Sequence, residues 1–160
     1  MAGDGPEIEH PNRRKAASKV TKLLVVLLLL ISAALVAIVT IGGWDELQGA
    51  KVVQIAFIVL YLLMAVLVAR WNRGVLPVAA ALAIVMLIFA AIAGPAWFER
   101  DKAGFADPGL DASLLGLVTL LIVPVQALLI LAAMSGFRQG WNVEVERRPE
   151  TTARAAPQPG

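Results

Sequence analysis

Few side chains in this 160-residue sequence are of types that carry out chemistry. There is no cysteine and a single histidine, His10. These two counts exclude a thiol nucleophile, a disulfide framework, a zinc site built from Cys and His, and a haem held by two histidines. The sequence contains no Ser/His/Asp arrangement, no phosphate-binding glycine loop and no glycosylation sequon. It therefore predicts no catalytic, metal-binding or cofactor-binding residues, and a protein that is not an enzyme.

The remaining candidates are polar side chains inside long apolar stretches. They form a candidate polar cluster made of Gln54, Tyr61, Thr119, Pro124 and Gln126. Proline within a helix removes one N–H and displaces the carbonyl four residues earlier, here that of Leu120, so a kink is expected. Lipid offers no hydrogen-bond partner at this depth. We therefore expect Tyr61 to face the fourth stretch and to donate to the Leu120 carbonyl or the Gln126 amide.

Charged residues are absent from those stretches. Proton-coupled transporters and ion pumps place titrating groups at membrane depth, so their absence disfavours both classes. The acids nearest the fourth stretch are expected to shape a loop: Asp107-Pro108-Gly109 is a turn signal, and Asp111 is placed to cap a helix. We interpret these acids as structural and not as a metal site.

The elements that must position these residues follow from composition. Hydrophobic residues make up 59% of the chain and charged residues 16%, against about 45–50% and about 25% in soluble domains. Uncharged stretches cover residues 23–44, 52–69, 74–98 and 112–137, and a helix needs about 20 apolar residues to cross a bilayer. The sequence predicts an all-α integral membrane protein, a four-helix transmembrane bundle of two hairpins. The first span exceeds the apolar core of a cleaved signal peptide and is expected to stay as an anchor.

The connections and tails constrain this bundle further. The link at residues 70–73 is so short that spans two and three are predicted to be antiparallel neighbours. The tails, residues 1–22 and 138–160, are rich in charged residues and are too short to bury a core. We expect both tails to be largely disordered and to contain no soluble domain.

Orientation is predicted from the distribution of basic residues. Eleven of the fourteen Lys and Arg residues lie in the two tails and the 70–73 link, which places both termini in the cytoplasm. An even number of spans agrees with that placement. The four tryptophans lie at or just after the ends of the spans and are predicted to be interface anchors: Trp44, Trp71, Trp97 and Trp141.

These features favour a non-enzymatic protein of the plasma membrane. The favoured role is an accessory subunit or a self-associating bundle. Its expected partners are the lipid bilayer and other membrane subunits or further copies of itself, with no nucleic acid and no cofactor. Two alternatives stay open: a small channel or carrier for an uncharged or apolar solute, and a protein that binds a lipid or quinone.

Overall fold

Four long helices dominate the computed structural model, which describes residues 7–105 and 108–147. They are α2 (Ala16–Gly42), α3 (Ala50–Ala69), α4 (Leu76–Glu99) and α5 (Ala112–Arg138). The shorter elements are β1 (Glu7–Glu9), α1 (Pro11–Arg14), a 3-10 turn (Arg73–Val75) and β2 (Val145–Arg147). All four long helices are long and apolar enough to cross a membrane, so the predicted fold class is confirmed. We call the end of the bundle with both tails the tail side, and the opposite end the loop side.

The helix bounds differ most from the predicted spans at the start of α2. This helix begins at Ala16, seven residues before the predicted span, and includes Lys19 and Lys22. Lysine does not end a helix, because its long stem follows the helix surface while its ammonium reaches water. Asp111 occupies the N-cap position of α5 as predicted, but its carboxylate makes no capping hydrogen bond.

The long helices follow the spatial order α3, α2, α5, α4, which is not their order along the chain. α2 packs against α3 and α5, and α5 packs against α4. The backbones of α3 and α4 scarcely approach each other, although the rings of Phe57 and Phe89 meet with centroids 6.4 Å apart. The prediction that these two helices are packed neighbours is therefore wrong beyond the turn that joins them.

Side-chain size explains why α4 packs against α5. A stripe of small residues is buried along α4, made of Ala79, Ala83, Ala90 and Gly94. Small residues let helix backbones approach closely in membranes, and a Cβ on Gly94 would lie 2.5 Å from the Leu120 side chain. The buried face of α3 carries the bulkier Phe57, Tyr61 and Met64. The short link holds only the adjoining ends of α3 and α4 together. Because the small-residue stripe packs α4 closely against α5, the rest of α4 lies away from α3.

The two tails pack against each other on the tail side. β1 pairs with β2 in antiparallel register, with Glu7 opposite Arg147. Asn12 Nδ2 donates to the Gly140 carbonyl at 3.0 Å, and the Trp141 side chain is completely buried. We call residues 7–15 and 139–147 the tail clamp.

The tail clamp corrects the expectation of disordered tails for the residues it contains. Neither tail has a core of its own, but four spans return the chain to the side on which it began. The two tails can then pack against each other and bury side chains between them. The composition of one tail taken alone does not indicate this pairing. The disorder predicted for the last residues, 148–160, falls outside the described part of the chain.

A tryptophan ends α3 where glycine is usual. Trp71 has a left-handed backbone with φ of 63°, and the next N–H, that of Asn72, donates to the Leu67 carbonyl at 3.0 Å. This is a Schellman ending, whose left-handed position favours glycine. Trp71 is held there by Lys22 Nζ, 4.2 Å from its ring centroid, and by the Trp141 ring at 5.3 Å.

Candidate functional site

A cavity of about 670 Å³ opens between α3 and α4 in the loop-side half of the bundle. It follows from the helix order, because α3 and α4 lie at the two ends of that order and no helix closes the gap between them. All four long helices contribute to its apolar walls, among them Val36, Val53, Phe57, Phe89, Ile92 and Ile122. Val53 and Ile92 are 47% and 70% exposed, so this α3/α4 cleft is open sideways, toward the bilayer.

An ion pair lies at the loop-side rim of the α3/α4 cleft. Arg100, directly after α4, donates from Nη1 to Glu46 Oε2 at 2.6 Å. The two side chains are 40% and 23% exposed and both line the cleft. The Arg100 guanidinium also lies 5.5 Å from the ring centroid of Trp97. The rim therefore presents both signs of charge at one place.

A neutral polar group lines the cleft one helical turn deeper. Gln54 is half-buried in the wall, and its Oε1 lies 2.5 Å from Thr40 Oγ1 on α2. Thr40 Oγ1 is also 2.6 Å from the Val36 carbonyl, so its single proton faces two acceptors. Thr119 lines the cleft from α5, and its hydroxyl donates to the Leu115 carbonyl of its own helix at 2.7 Å.

A hydrogen-bonded network crosses the bundle at mid-depth, directly below the cleft. The Tyr61 hydroxyl donates to Gln126 Oε1 at 2.9 Å, and Gln126 Nε2 donates to Ser32 Oγ at 2.9 Å. Ser32 in turn donates to the Leu28 carbonyl at 2.7 Å. Tyr61, Gln126 and Ser32 are completely buried. The network links α2, α3 and α5, and its groups satisfy one another without solvent.

The candidate polar cluster thus divides into separate places. Tyr61 and Gln126 meet in the mid-depth network as expected, and the acceptor is the amide of Gln126 instead of the Leu120 carbonyl. Gln54 and Thr119 line the α3/α4 cleft, away from that network. Pro124 faces outward on the surface of α5, which continues as one helix through it.

Sequence reasoning missed the partners that α2 contributes. Ser32 and Thr40 are the hydroxyl residues of the first predicted span, one near its middle and one near its end. Their depths match those of Tyr61 and Gln54, counted along antiparallel helices. That match is a signal in the sequence from which both contacts could have been found. Glu46 and Arg100 lie in loops, where no periodicity indicates a partner.

The tryptophans divide into exposed and buried rings. Trp44 is 45% exposed and Trp71 is half-buried, and their role as interface anchors stays a prediction. Trp97 is 6% exposed, and Trp141 is completely buried in the tail clamp. The Trp141 Nε1 donates to Gln139 Oε1 at 2.9 Å. The rings of Trp97 and Trp141 therefore pack against other residues of the chain, and their role as interface anchors likewise stays a prediction.

The chemistry available to the α3/α4 cleft is binding and orientation. Its walls favour an apolar body, while its rim and Gln54 offer hydrogen bonds at one end. Within residues 7–105 and 108–147, no three acidic or histidine side chains converge on a point that would hold a metal ion. Comparison with protein-family models, with curated proteins and with solved structures finds no match to this chain.

Proposed function

We propose that this chain is a non-enzymatic multi-pass protein of the plasma membrane that binds an apolar molecule with a polar end. The binding site is the α3/α4 cleft, which the molecule enters sideways from the leaflet on the loop side. The observation that carries the proposal is the cleft itself, about 670 Å³ between four helices. That volume lies within the range of about 300–1,000 Å³ that is usual for small-molecule sites.

The composition of the cleft supports an uncharged, apolar body for the ligand. Between the depth of Gln54 and that of Lys22, the described spans contain no ionisable residue except Tyr61, which is hydrogen-bonded to Gln126. A charge placed deep in the cleft would have no counter-charge there, and an unpaired charge is unfavourable in an apolar environment. The polar groups at the rim therefore orient the molecule with its apolar part toward mid-depth.

The proposal assigns the cleft to a small molecule and not to a helix of a partner protein, because its volume of about 670 Å³ is usual for small-molecule sites. A role as an accessory subunit, or in self-association, stays a prediction in which partners contact other faces of the bundle. A channel or carrier would need a path to the tail side, and the buried mid-depth network lies across that path.

Orientation and location belong to the same proposal. We propose that both termini are cytoplasmic, supported by the eleven of fourteen basic residues on the tail side. The α3/α4 cleft then opens into the outer leaflet. The bilayer is the source of the ligand in this arrangement, and no nucleic acid is involved.

A bulky residue placed in the cleft tests the binding function. Ala93 lines the cleft, and Ala93→Phe fills it with an aromatic ring. When this variant is purified in mild detergent, we expect the amount of co-purified apolar molecule per protein to fall about tenfold or more, because the ring occupies the volume of the ligand. Mass spectrometry of the extracted small molecules gives the ratio to protein.

The matched control is the same substitution on the outside of the same helix. Ala91 is exposed and does not line the cleft, so Ala91→Phe should retain the ligand fully. Equal retention by the wild type and by Ala93→Phe would show that the cleft is not the binding site. Stoichiometric co-purification of another membrane protein without any small molecule would favour the accessory-subunit role instead.

A further inference from the structure

We infer that the molecule bound in the α3/α4 cleft is a zwitterionic phospholipid with an ammonium in its headgroup. Its ammonium meets Glu46, its phosphate meets Arg100, an ester carbonyl meets Gln54, and an acyl chain fills the apolar cavity. This inference rests on the proposed function and specifies the class of ligand.

The first argument is the unused bonding capacity of the rim. The bond between Arg100 and Glu46 uses one nitrogen of a guanidinium that has five N–H donors, and one of two carboxylate oxygens. Both side chains are partly exposed where they line the cleft. A headgroup with an anion and a cation side by side can bond to both residues at once. An uncharged head bonds to each more weakly, and an anionic head pairs its charge with Arg100 but offers Glu46 only neutral hydroxyl donors.

The second argument is the charge around the rim. The loop-side segments, residues 45–51 and 99–111, contain six acidic and three basic residues. This excess of negative charge disfavours an anionic lipid and favours a headgroup that includes a cation. The Arg100–Glu46 pair has no net charge, so the excess of negative charge comes from the residues around it.

The third argument is the depth of Gln54. It lies four residues into α3, so it is about 6 Å below the start of that helix at 1.5 Å per residue. Its Oε1 faces Thr40, and among the described residues no acceptor bonds to its Nε2, which leaves that amide to the cleft. Ester carbonyls lie just below the phosphate of a phospholipid. The three polar groups therefore follow the order in which a phospholipid presents ammonium, phosphate and carbonyl.

The experiment compares lipids of matched chains on the full-length protein. Delipidated protein in detergent receives equal amounts of phosphatidylethanolamine, phosphatidylglycerol, diacylglycerol and a lipid-soluble quinone, and native mass spectrometry measures what each sample retains. We expect the wild type to prefer phosphatidylethanolamine. Glu46→Gln should lower the preference for it over phosphatidylglycerol on the order of five- to tenfold, as one charge-assisted bond at a partly exposed site is lost. Arg100→Gln should lower retention of both phospholipids relative to diacylglycerol.

Two controls match these variants in position and chemistry. Glu99→Gln and Lys102→Gln change exposed loop-side residues that do not line the cleft, and we expect unchanged preferences. A further comparison tests the contact between Gln54 and the ester carbonyl. The wild type should retain the diester phospholipid better than its diether analogue, and Gln54→Leu should abolish that difference. Thermal unfolding by circular dichroism shows whether each variant is folded.

The outcomes separate this inference from the proposed function. If the wild type retains diacylglycerol or the quinone as well as phosphatidylethanolamine, the phospholipid assignment is wrong, and the cleft still binds an apolar molecule. An unchanged preference in a folded Glu46→Gln variant would likewise overturn the headgroup assignment alone. If Ala93→Phe retains every lipid as well as the wild type does, the proposed function itself fails.

Discussion

At the scale of single residues, Gln126 makes the hydrogen bonds that connect the most helices in the interior. It accepts from Tyr61 and donates to Ser32, so one side chain joins α5 to both helices of the first hairpin. Hydrogen bonds between spanning helices contribute only about 0.6 kcal/mol each on average, with a maximum near 1.7 kcal/mol. We therefore ascribe to this network the register and rotation of the helices more than their overall stability.

A double-mutant cycle tests the bond between Tyr61 and Gln126. Tyr61→Phe removes the donor and keeps the ring, so it should lower the free energy of unfolding by about 0.6 kcal/mol. Gln126→Leu should remove the same interaction, and the coupling energy between the two substitutions should be of similar size. The measurement is equilibrium unfolding in mixed micelles. Strictly additive effects would mean that the two side chains do not interact in the membrane.

The contact of Tyr61 with α5 was predictable, and the rim of the cleft was not. Tyr61 and Gln126 share a depth that follows from counting residues from the ends of two apolar spans, and lipid leaves a phenol few other partners. Glu46 and Arg100 lie 54 residues apart in two loops. Their meeting depends on how far apart α3 and α4 stand, which is a property of packing and not of local sequence.

At the scale of elements, the number and type of helices were predictable because charged residues bound each apolar stretch. The order of the helices was not, since a short link brings only the ends of α3 and α4 together. The separation of their loop-side ends follows from the small residues buried between α4 and α5. The tail clamp also escaped prediction, because its strands are three residues each and pair across the whole length of the chain.

The tail clamp should contribute to stability through Trp141. This side chain is completely buried in a part of the protein outside the spans, so Trp141→Ala removes a large apolar contact and leaves a cavity. We expect the free energy of unfolding to fall by about 3–5 kcal/mol. The matched control, Trp44→Ala, alters a ring that is 45% exposed and should cost about 0.5 kcal/mol. Equal losses for the two variants would show that the tail clamp does not form in the membrane-inserted protein.

At the scale of the whole molecule, the charge asymmetry gives a test of orientation. The chain contains no cysteine, so a single introduced thiol reports its own position without background. Lys102→Cys places an exposed thiol on the loop side and Lys19→Cys places one on the tail side. A membrane-impermeant maleimide added to intact cells should label only Lys102→Cys, and lysis should make Lys19→Cys reactive too. Labelling of Lys19→Cys alone in intact cells would show that the orientation is the reverse of the proposed one, with the α3/α4 cleft in the inner leaflet.

The contact between α2 and α5 also bears on how the protein is made. Ribosomes synthesise the chain from its N-terminus, so α2 and α3 enter the membrane before α5 exists. During that interval Gln126 is not yet present to accept the hydrogen bond of the Tyr61 hydroxyl, and the lipid around the hairpin offers no other acceptor. When α5 enters the membrane, Gln126 can accept that hydrogen bond, and the residues that follow α5 form β2, which pairs with β1. The helix contacts of the first hairpin are therefore completed only when α5 has entered the membrane, and the tail clamp only when β2 has been made.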